Sequence, residues 1–119
     1  MPSKLKLVIG MAFIAIPAMA AEPIQGDWKT AGGETVEATR CGNQFCLTIK
    51  TGDYAGKQIG ALTGDSIHYK GAITDPKDGK GYTGSAVVST SVTGKETLKL
   101  KGCVLKLLCK TQEWERVSP

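Results

Sequence analysis

The residues of this chain best equipped for chemistry are its four cysteines. Cys41 and Cys46 enclose Gly42-Asn43-Gln44-Phe45, and Cys103 and Cys109 enclose Val104 to Leu108. Four thiols could ligate zinc, but these spacers are wider than the usual two-residue knuckle. A redox pair would want Cys-x-x-Cys, which the sequence lacks. Disulfides remain, with three connectivities possible. Residues flanking a short hairpin loop face each other across an antiparallel pair, within disulfide reach. Cys41–Cys46 and Cys103–Cys109 are therefore the expected bridges, and no metal site is expected.

The titratable residues offer little more. His68 is the only histidine, and by alternation it lies opposite Ile67 and Tyr69, facing solvent. No nucleophile-elbow motif accompanies it. Asp75-Pro76-Lys77-Asp78-Gly79-Lys80 carries two carboxylates, but a calcium loop needs more oxygen ligands and a terminal glutamate. Asp-Pro and Asp-Gly are turn chemistry, so a hairpin loop is expected. Glu113 and Glu115 share a strand face on either side of Trp114 and read as solvent-facing charges. With no nucleophile–base constellation, neither an enzyme nor a cofactor is expected.

The elements that carry these residues have period two, punctuated by glycine. Strands are predicted over Gln25–Thr30, Glu34–Arg40, Phe45–Lys50, Gln58–Thr63, Ser66–Ile73, Tyr82–Val88, Thr97–Lys101 and Leu107–Val117. Gly64-Asp65 is the expected turn between the fourth and fifth, and Gly42 to Phe45 a four-residue loop after the second. Glycines within strands (Gly60, Gly71, Gly84) permit sharp bends. About eight short antiparallel strands predict an all-β fold, a small up-and-down barrel or a small sandwich, and the barrel is the expectation because it removes exposed edges. Such a barrel is filled by side chains or holds one small ligand.

Residues 1–20 read as a secretory signal peptide. Lys4 and Lys6 lead, an apolar stretch from Leu7 to Ile16 follows, and Ala18-Met19-Ala20 fits the cleavage pattern. The apolar run is too short for a membrane anchor and is broken by Pro17. Cleavage near Ala20 leaves a single domain, 21–119, in the periplasm or secreted. It also removes two lysines and no acid, so the net charge falls from +4 to +2. That balance, with export, excludes a dedicated nucleic-acid binder.

Four stretches together carry a resemblance. They are Gly26-Asp27-Trp28-Lys29-Thr30, Cys41-Gly42-Asn43-Gln44-Phe45-Cys46, Gly71 through Tyr82 with its Asp75-Pro76, and Cys109-Lys110-Thr111-Gln112-Glu113-Trp114-Glu115-Arg116. Their order resembles the exported bacterial family called domain of unknown function 2147. The resemblance implies export and a small β fold, and no reaction. The chain is shorter between Lys50 and Gln58, where that family often carries a proline-containing segment. A wider resemblance is to lipocalin-like barrels, which place Gly-x-Trp on the first strand and a basic residue on the last. It implies that Gly26, Trp28, Trp114 and Arg116 close one barrel end, with Arg116 stacked on Trp28.

The functional expectation is an exported barrel that binds a small apolar or amphipathic molecule without catalysis. The inward residues Phe45, Leu47, Ile49, Leu98 and Leu100 are its candidate ligand contacts. The alternative is a cell-envelope interaction module with a filled core that binds a protein on its surface. No nucleic acid and no stable membrane span enter either reading.

Overall fold

The computed structural model describes residues 22–105 and 108–119. The signal peptide expected over residues 1–20 lies outside them, as does Leu107. The chain forms β1 (Gly26–Lys29), β2 (Thr35–Cys41), β3 (Gln44–Ile49), β4 (Gln58–Asp65), β5 (His68–Thr74), β6 (Gly81–Thr90), β7 (Glu96–Val104) and β8 (Leu108–Ser118). Each strand pairs antiparallel with the next, and β1 pairs with β8 to close the barrel. The seam is short, since β1 meets only Glu115, Arg116 and Ser118 of β8, and Leu108–Trp114 of β8 are paired on the β7 side alone. Among the described residues no helix is long and apolar enough to cross a membrane.

Alternation sorts the side chains as expected. Val36 and Ala38 on β2 face Ile49 and Leu47 on β3 across the ladder, and all four are buried. Ala86 and Val88 on β6 oppose Leu100 and Leu98 on β7 in the same way. The outer face carries the charges. Lys95 pairs with Glu115 at 3.1 Å and Lys99 with Glu113 at 3.7 Å. His68 is exposed, as expected of its outward position. Strands β6 and β7 outrun their predicted limits, because the backbone ladder continues through Ser89-Thr90 and through Gly102-Cys103-Val104, where the alternation stops.

Two turns differ from expectation. The β4–β5 turn is Ser66-Ile67, since Asp65 pairs with His68. Ser66 adopts φ 60°, as the first central residue of a II′ hairpin turn does. Gly64 sits in the ladder instead, so close to β5 that a Cβ there would lie 2.1 Å from the His68 carbonyl oxygen. The β2–β3 turn is the two residues Gly42-Asn43, because Cys41 pairs with Gln44. Gly42 supplies the positive φ of 68° that this tight turn demands.

Both expected disulfides are present and cysteines of no other kind remain. Cys103 and Cys109 are direct partners across β7 and β8. Cys41 and Cys46 are diagonal neighbours, because the shorter turn sets Cys46 opposite Thr39. The two bridges brace opposite ends of the barrel. The Asp75–Lys80 segment is the expected hairpin loop. The Asp75 and Asp78 carboxylates accept from the Lys77 and Lys80 backbone N–H groups, each at 2.8 Å.

Candidate functional site

One barrel end is plugged. The segment Glu22–Gln25 crosses it and buries Ile24 completely. Trp28, fully buried on β1, donates its Nε1–H to the Ile24 carbonyl at 2.8 Å. The Arg116 guanidinium lies 4.1 Å from the centre of the Trp28 ring. It donates to the Pro23 and Gln25 carbonyls and, through Nε, to Glu96 at 3.0 Å. One planar cation thus ties the leading segment, β1, β7 and β8 together. Gly26 has to be glycine here. It adopts φ +122°, and a Cβ would lie 2.6 Å from the Arg116 guanidinium.

Phe45 and Tyr69 complete the plug, their rings edge to face with centroids 5.5 Å apart. The buried Tyr69 hydroxyl donates to the Ser66 carbonyl at 2.8 Å and lies 3.3 Å from a Glu22 carboxylate oxygen. Burial pushes its pKa up to about 12, and the negative charge of Glu22 adds to the rise, while the Ile24 backbone partly opposes it. The fold therefore favours the neutral phenol. Its contribution is whole below pH ~10, the unfolded value, and is lost as pH rises through about 12. We expect unfolding free energy to drop by about 2 kcal/mol across that window, beyond the loss shown by Tyr69→Phe. Denaturant midpoints of both proteins between pH 9 and 12 check this.

The other end is open. A cavity of about 350 Å³ enters the barrel there, with Val36, Ile49, Ile59, Ile73, Leu100 and Trp114 among its walls. The register explains the space. Gly71, Gly84 and Gly102 oppose one another in a single row across β5, β6 and β7. A Cβ on Gly84 would lie 2.3 Å from Ile73 Cδ1, and one on Gly102 would lie 3.3 Å from Tyr82 Cβ. Ile73 and Tyr82 therefore lie against the glycine wall and leave the lumen clear.

Polar groups ring the mouth. Trp114 donates its Nε1–H to Gln112 at 2.8 Å, so its polar atom is satisfied and its ring forms apolar wall. Glu34, Asp75 and Lys110 stand around the rim. Among the described residues no cluster of three or more His, Cys, Asp or Glu is placed to hold a metal.

Ile49 and Leu100, of the five candidate ligand contacts, line this cavity. Phe45, Leu47 and Leu98 sit in the filled half, packed within the core. Gly26, Trp28 and Arg116 meet at the plugged end, whereas Trp114 lines the cavity. Ile59, Ile73, Tyr82, Lys110 and Gln112 were not legible as site residues. Alternation assigns a residue to a face, but nothing local marks depth along the axis.

Fold and cavity together define a small closed antiparallel barrel, plugged at one end and open to an apolar lumen at the other. A family model described as an uncharacterised protein conserved in bacteria, domain of unknown function 2147, matches residues 55–116. The chain belongs to that family. The match spans β4 to most of β8, including Asp75-Pro76 and Thr111-Gln112-Glu113-Trp114. No curated protein and no solved structure matches the chain.

Proposed function

We propose that this protein is an exported barrel that binds a small apolar or amphipathic molecule in its open end, without catalysis. The cavity of about 350 Å³ with aliphatic walls carries this reading. Its size falls in the range of small-molecule sites, and a few polar groups at the rim are their usual complement. Two disulfides fit an oxidising compartment such as the periplasm or the medium.

Native mass spectrometry of protein purified from the periplasm is the direct test. A small-molecule adduct is the expected result. A bare protein that also ignores 1-octanol in calorimetry removes the reading. Ile73→Trp should fill the lumen from its half-buried rim position. We expect it to weaken 1-octanol binding at least about tenfold while costing only about 1–3 kcal/mol of stability.

The second reading, an envelope interaction module, draws on Leu105 and Leu108. They are 84% and 72% exposed beside the hairpin tip at the open end. Capture of an envelope protein that is lost in Leu105→Ser/Leu108→Ser would favour it.

A further inference from the structure

We infer that the open end takes a single-chain amphiphile with an anionic head, held at Lys110, with its tail in the lumen. This deepens the ligand-binding reading above and rests on it. Lys110 is the one cation lining the cavity among the described residues. It projects from β8 opposite Gly102, which has no side chain to cover the mouth. Its Nζ stands 5.8 Å from the centre of the Tyr82 ring, another lining group. None of the ion pairs among the described residues involves Lys110.

The two rim carboxylates are differently placed. Glu34 accepts from the Thr30 hydroxyl at 2.7 Å and is folded over its own turn, close enough that a Cβ on Gly32 would lie 2.9 Å from it. Asp75 accepts from the Lys77 backbone N–H at 2.8 Å within its own loop. Each acid accepts a hydrogen bond within its own turn and keeps its negative charge, so an anionic head has to sit on the Lys110 side of the mouth, where the ammonium makes no ion pair among the described residues.

Below the rim the wall runs from Lys110 past Gln112 to Trp114 on one strand face, roughly 13 Å at ~3.3 Å per residue. The cavity volume of about 350 Å³ admits roughly a dozen water-sized groups at ~30 Å³ each. An eight-carbon chain with a compact head fits that room. A carboxylate or a phosphate monoester head would serve Lys110 equally.

The test titrates the disulfide-bonded protein with octanoate, octyl phosphate, 1-octanol and octyltrimethylammonium by calorimetry. The anions are expected to bind about tenfold tighter than the alcohol, an advantage that shrinks with salt. Lys110→Gln should bring the anions down to the affinity of the alcohol, and Lys110→Arg should retain the advantage. Tighter octanoate points to free acids, and tighter octyl phosphate to a phospholipid-type head. Equal binding of alcohol and anions, an advantage that survives Lys110→Gln, or tightest binding of the cation overturns the inference while ligand binding itself stands. If none of the four binds, the ligand-binding reading falls with it.

Discussion

Trp28→Ala is expected to destabilise the protein by about 3–5 kcal/mol, the usual cost of deleting a large core aromatic. Trp28 is fully buried, and its loss acts on three contacts at once. The Ile24 carbonyl loses its donor, Arg116 loses its stacking platform, and the plug loses its largest side chain. The damage falls on the seam that closes the barrel, since Trp28 pairs with Val36 on one side and Arg116 on the other. Trp28→Phe keeps a ring under Arg116 but cannot donate to Ile24, so about 1–2 kcal/mol is expected from it. Urea midpoints at constant m-value measure both. A Trp28→Ala protein within about 1 kcal/mol of the wild type would show that the end is held by something other than this ring.

Reduction of both disulfides is expected to cost about 4 kcal/mol in total. Cys41–Cys46 and Cys103–Cys109 span separations of 5 and 6 residues. Chain-entropy arguments give roughly 2 kcal/mol for a loop that short. The bridges sit at opposite barrel ends on separate hairpins, so paired Cys→Ala variants should add. Denaturant midpoints of the two double variants and the quadruple variant test the sum. Loss of Cys103–Cys109 should also speed amide exchange in β7 and β8 near the mouth, which loss of Cys41–Cys46 should not. A fully reduced protein as stable as the oxidised one would mean that the hairpin ladders already confine the unfolded chain.

The fold was legible because its signals are local. Period-two alternation in Phe45-Cys46-Leu47-Thr48-Ile49 or Lys99-Leu100-Lys101 separates the two faces within a few residues. The cysteine pairs were legible for the same reason, as each lies within one hairpin. The turns were read less well. Gly64-Asp65 looked like a hairpin turn, yet the ladder runs through it and Ser66 takes the positive φ. Dipeptide preference yielded there to the register of two long strands.

Residue order alone therefore decides how many strands form, which side of each looks inward, and which cysteines can meet. Depth along the barrel axis belongs to the tertiary structure. It depends on the stagger accumulated from strand to strand around the closed sheet, and no short window contains that. Stagger sends Phe45, Leu47 and Leu98 into the filled half and leaves Ile49 and Leu100 on the cavity. It separates Trp114 from Trp28, although both face inward. It also aligns Gly71, Gly84 and Gly102, far apart in the chain, into one row, in which Gly84 makes room for Ile73 and Gly102 lines the cavity opposite Lys110.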